Sequence, residues 1–219
     1  MRCSRLYILS ADIWNFLLNP THSSIKSILK GVIFLVKYNY FEDLEKLSSL
    51  SLSAVVHSCG GSSQPLPRLR PECDALVCRI EDNLFADFLP PLERDNIAAA
   101  AHCLSRIVDK AYELRSEPYA DCAFMKTNDE AAVCIKLARE LSDAVGLLRR
   151  IRRPEEMPDL QGYRVLLDEG RDAHKRMLTR VRSGQVSKSR AEAIILTGRL
   201  RGELSLAFDE IIEIMLNNI

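Results

Sequence analysis

Apolar residues in this chain recur every three or four positions over long stretches, and that period admits one kind of backbone. Over residues 96–112, Ile97, Ala100, Ala101, Leu104, Ile107, Val108 and Ala111 fall on one stripe of a helix with about 3.6 residues per turn. Val133, Leu137, Leu141, Ala144, Val145 and Leu148 form the same stripe over 129–150. Leu160, Tyr163, Leu167, Gly170, Ala173, Met177 and Val181 form it over 158–182. A last helix starts at Ser187 or Ser189 and turns Ala191, Ile194, Ile195, Leu204, Phe208, Ile211, Ile212 and Met215 inward. Two earlier helices are predicted over about 40–57 and 71–87. No useful length of chain alternates apolar and polar residues as a half-buried strand does. Each stripe must be covered by another, so the expectation is an all-α antiparallel helical bundle. It has about six core helices and one or two apolar helices before them.

Local punctuation sets the boundaries. Residues 58–71 hold Gly60-Gly61 and three prolines, which no continuous helix accepts. Thr127-Asn128-Asp129-Glu130 supplies an N-cap and an acidic first turn, and Ser183-Gly184 a C-terminal stop. Residues 1–38 are predicted to be an apolar N-terminal extension, and residues 39–219 the bundle. Within the extension, Asp12 interrupts the apolar run that follows Arg2 and Arg5. The stretch Ile28 to Val36 contains Lys30 and falls far short of the ~20 residues a membrane span needs.

Charge and motif content narrow the function classes. Lys+Arg and Asp+Glu are both 30, so the chain lacks the basic excess of a generic nucleic-acid binder. Between residues 149 and 201 the count is 14 basic and 7 acidic, a patch that local helix-dipole compensation and a solvated surface explain. The seven Cys form no CxxC pair and read as reduced, mostly buried thiols, as in a reducing cytoplasm. There is no GxGxxG, GxxxxGK[ST], HExxH or GxSxG. None of His22, His57, His102 and His174 has Glu three residues before it, so the ExxH ligands of a di-iron bundle are missing.

One stretch resembles a known family. From Asp74 through Leu84 and Phe88 to the turn Pro91-Leu92-Glu93-Arg94 and on to Ile97 and Asp109, the chain is similar to PhoU-like phosphate-transport regulators. The likeness is to their short stand-alone branch, accessory to Pit-type permeases. It is strongest over 70–115 and extends weakly over about 180 residues. The resemblance implies a PhoU-like bundle and a non-enzymatic regulatory or accessory role in inorganic phosphate transport. It implies a membrane phosphate permease or sensor protein as partner, bound through a helical surface, with a homo-oligomer also compatible. The location implied is the cytoplasm, peripheral to the inner face of the membrane. The alternatives are a divergent helical-bundle interaction protein with no phosphate role, since fold alone does not carry function, or a carboxylate-bridged metalloprotein.

The resemblance also implies metal. In the family, carboxylates four residues apart recur on facing helices, where i and i+4 share a face and offer adjacent oxygens to a hard cation. Four positions here match: Asp74, Asp109, Asp168 and Asp172. Only the last two keep the spacing intact, and Arg171, Lys175 and Arg176 beside them suit a solvated charged face equally. Asp109 has Glu113 four residues on as a substitute partner. Elsewhere Arg70, Arg106 and Arg201 stand where the pattern has acids or their neighbours. Cofactors are therefore expected to be none, or a weakly bound divalent or iron-type metal. The arginines are expected to pair with the remaining acids in place of metal bridges.

Overall fold

Seven α-helices form among the residues that the structure, a computed structural model, describes: 38–60, 66, 68–87, 90–116, 122–150 and 154–218. They are α1 (Tyr40–Cys59), α2 (Leu69–Ala86), α3 (Arg94–Arg115), the short α4 (Cys122–Lys126), α5 (Asp129–Leu147), α6 (Leu160–Arg182) and α7 (Lys188–Leu216). A single 3₁₀ turn spans Pro154–Glu156, and no strand occurs among the described residues. The six long helices are those the periodicity predicts. The expected N-terminal helices and the extension over 1–38 lie outside the described residues, apart from Tyr38. Asn39–Ile219 is a compact unit by itself.

The ends are set by groups that satisfy orphan amides. Asn39 caps α1 by accepting from the Glu42 amide, and Asn128 caps α5 by accepting from Glu130. Asp159 caps α6 by accepting from the amides of Gln161 and Gly162. The start of α2 has no side-chain cap of its own. The Tyr112 hydroxyl on α3 takes the Leu69 amide instead, at 3.0 Å. Gly184 ends α6 with φ of 71°, the left-handed region that glycine enters without penalty.

Two boundaries depart from the expectation. The helix α1 continues through His57 to Cys59, and α2 begins two residues before Pro71. The proline sits in the first turn, where its missing N–H has no intrahelical partner to lose. The five-residue α4 is too short to carry an apolar stripe and left no signal in the sequence.

α1 packs on α3 and α5, and α7 packs on the same two helices, so α1, α3, α7 and α5 close a ring. α2 leans on α3 and α1, and α6 on α5 and α7. Leu47, Ile97, Leu104, Ile107, Leu137 and Leu200 are fully enclosed in this core. Burying each such side chain stabilises the fold by about 1.5–3 kcal/mol. Small residues let the backbones approach: Ser51 donates to the Leu104 carbonyl and Ser58 to the Ala111 carbonyl, each at 2.9 Å, fastening α1 to α3. On the far side Tyr163 of α6 stacks on Phe208 of α7 with ring centroids 3.4 Å apart and donates to the Leu204 carbonyl. Among the described residues no helix is long and apolar enough to cross a membrane.

Candidate functional site

The four carboxylates of the implied metal site divide into two pairs. The charges of Asp74 on α2 and Asp109 on α3 both act on the same buried thiol, Cys73. Burial pushes that thiol above its usual range, a hydrogen bond from Ser105 opposes the shift, and the two carboxylates add to it. Asp109 is not open: Arg70 Nη2 lies 2.6 Å from its Oδ1. Glu113, the substitute partner, is taken by Lys110 at 2.8 Å. Asp168 and Asp172 share the outer face of α6, well exposed, and pair with Arg171 at 3.0 Å and Lys175 at 3.3 Å. Asp172 also lines an open groove of about 390 Å³ between α5 and α6, with Asp129, Lys136, Glu169 and Arg176 on its walls. Among the described residues no three His, Cys, Asp or Glu side chains come together as a metal-holding group.

The stronger electrostatic feature lies inside the bundle. Glu130, in the first turn of α5, is 0 % exposed. Its Oε1 accepts from Arg201 Nε of α7 at 2.9 Å, and its Oε2 lies 2.8 Å from His174 Nδ1 of α6. A charge removed from water needs such a partner, since an unpaired one costs several kcal/mol. Glycines make the room. A Cβ on Gly170 would fall 2.6 Å from Arg201 Cδ, and one on Gly198 would fall 2.5 Å from His174 Cε1. One carboxylate therefore ties three helices.

Similar ties recur. Asp43 on α1 is 4 % exposed and accepts from Arg79 Nε of α2 at 2.7 Å. Arg106 of α3 donates to Glu203 of α7 at 3.0 Å. Each of the three arginines that interrupt the acidic pattern thus holds a carboxylate on another helix: Arg70 with Asp109, Arg106 with Glu203, Arg201 with Glu130. Thr197 on α7 is fully buried and donates to the Ala193 carbonyl at 2.8 Å. Beside this node the thiol of Cys134 is pushed well up by a hydrogen bond with Cys59 and by burial. Cys59, Cys73, Cys103 and Cys134 are buried free thiols, while Cys78 is exposed.

Glu130, His174 and Asp43 were missed as partners in the sequence, yet a signal was present. Glu130 precedes Val133, Cys134 and Leu137 by three, four and seven positions, so it lies on the apolar stripe of its own helix. Asp43 stands beside Leu44 and three before Lys46 and four before Leu47, on the covered side of α1. An acid at such a position demands a cation from elsewhere in the fold.

The turn Pro91-Leu92-Glu93-Arg94, which carries the resemblance, is tied back to the end of α2. The Arg94 guanidinium donates to the Asp87 carbonyl, and Leu92 is buried. The Tyr40 hydroxyl donates to the Asp87 carboxylate at 3.4 Å, joining the start of α1 to the end of α2. Burial first, and the Asp87 charge second, push the Tyr40 phenol up to about 12.

No family model matches the chain, and no curated protein matches it in sequence. Solved structures do. A PhoU-like protein from Shewanella oneidensis MR-1 superposes with a TM-score of 0.54 at 13 % identity, covering 81 % of this chain and 96 % of that one. A structure described as a PhoU-like phosphate regulatory protein from the same organism gives a TM-score of 0.54 at 15 % identity, covering 82 % and 96 %. The chain has the all-helical PhoU-like bundle fold.

Proposed function

We propose that this chain is a non-catalytic regulatory or accessory protein of inorganic phosphate transport. It works in the cytoplasm at the inner face of the membrane and binds a phosphate permease or sensor through a helical face. The observation that carries the reading is the agreement of two separate lines. The Asp74-to-Asp109 stretch with its Pro91–Arg94 turn resembles phosphate-transport regulators, and the bundle superposes on nearly the whole of a protein described as a PhoU-like phosphate regulatory protein. The site chemistry is compatible, because the conspicuous charged groups form ties between helices rather than a nucleophile held beside a base.

The test is deletion of the gene with phosphate uptake measured in cells, together with capture by the tagged full-length chain from native membranes. Altered uptake of labelled phosphate, with a phosphate permease or sensor identified in the capture, supports the proposal. Unchanged uptake with neither protein captured contradicts it and favours an interaction bundle without a phosphate role.

A further inference from the structure

A resident hard cation needs several oxygens free to converge on it: about six for magnesium and six to eight for calcium. Among the described residues no three ligating side chains converge to provide them. Asp109 is held by Arg70, Asp168 by Arg171 and Asp172 by Lys175. The Thr197 hydroxyl is buried and committed to its own helix. A guanidinium beside an acid also brings positive charge to the place a cation needs, and repulsion between like charges grows as the surroundings become less watery. This donor set does not fit a resident metal.

We infer that the chain uses arginine–carboxylate ties where the family pattern has cation bridges, and that its bundle holds without bound metal. Four arginine–carboxylate ties and one histidine–carboxylate contact form a continuous series through all six long helices. Asp43–Arg79 joins α1 to α2, and Arg70–Asp109 joins α2 to α3. Arg106–Glu203 joins α3 to α7, Arg201–Glu130 joins α7 to α5, and Glu130–His174 joins α5 to α6. Guanidinium suits the task. It stays charged at any working pH and presents several donors in one plane, so it grips a carboxylate with direction as a metal ion does. Arg70 is the residue that closes the outer site: it lies four residues before Asp74 and grips Asp109 across the helix pair. This inference is independent of the phosphate reading, since it concerns what the bundle needs in order to stand.

The test uses the purified full-length chain. Its metal content is measured, and its thermal unfolding is followed with EDTA, with no addition and with excess Mn²⁺. The expected result is no stoichiometric metal and a melting temperature that moves by less than about 1 °C among the three conditions, because a ligand that does not bind the folded state does not stabilise it. Two or more tightly held ions per chain, or a fall of several degrees in EDTA, overturns the inference. Arg70→Glu places a second acid one turn from Asp74 and frees Asp109. It is expected to gain a rise of about 3 °C or more in Mn²⁺, and a variant as indifferent to Mn²⁺ as the native chain overturns the role given to Arg70. Arg201→Met is expected to lower the melting temperature by about 6 °C or more whether or not metal is present, and no loss overturns the role of the inner tie.

Discussion

Glu130 holds its charge out of water, and both its oxygens are engaged, one by Arg201 and one by His174. Removing one member of such a buried pair costs about 3–5 kcal/mol, because the other is left uncompensated. Glu130→Gln is therefore expected to lower unfolding free energy by about 3 kcal/mol in a denaturant titration, with the slope unchanged. The glycines around this node give a sharper contrast. Gly202 has open space where a Cβ would go, so Gly202→Ala is expected to raise stability by up to about 1 kcal/mol through helix propensity. Gly198→Ala meets the His174 ring, which its hydrogen bond to Glu130 holds in place, and is expected to lower stability despite the same propensity gain. Parallel melts of the two variants check this. Alkaline pH tests Tyr40. Its phenol ionises near 10 in the unfolded chain and at about 12 in the fold, so the folded state prefers the proton. The stabilisation is complete below pH 10 and disappears as pH rises from 10 through 12. A stability profile over that window is expected to fall less steeply in Tyr40→Phe than in the native chain.

At the scale of the helix, much was legible in sequence. The stripes beginning at Ile97, Val133 and Leu160 locate α3, α5 and α6 because burial on one side of a 3.6-residue period is a local property. The caps were half legible. Asn128 and Ser187 both stand at helix starts, but only Asn128 accepts a hydrogen bond from its helix. Asn128→Ala is expected to cost about 1 kcal/mol and Ser187→Ala a few tenths at most, as equilibrium unfolding of the two variants will show. What the sequence hid is pairing across distance. Arg201 lies 71 residues from Glu130, and Arg106 lies 97 from Glu203. No local rule says which arginine meets which acid, since that depends on how α7 lies between α3 and α5. The expectation that the arginines pair with the remaining matched acids holds for Arg70 with Asp109, whereas Arg106 and Arg201 meet Glu203 and Glu130, acids outside that set, and Glu130 read only as part of an acidic first turn.

Across the whole molecule, the ring of α1, α3, α7 and α5 with α2 and α6 leaning on it reproduces PhoU-like bundles at 13–15 % identity. So little identity suffices because a bundle asks for apolar stripes and short turns, which many sequences meet. The charged residues are less free, since each buried acid fixes the position of its partner. Arginine and carboxylate act as linked pairs between helices, and a double-mutant cycle reads that linkage. Glu130→Gln, Arg201→Met and the combined variant are unfolded in denaturant alongside the native chain. A coupling of about 2 kcal/mol is expected, with the double variant far less damaged than the sum of the single ones. Losses that add to within about 0.5 kcal/mol contradict it.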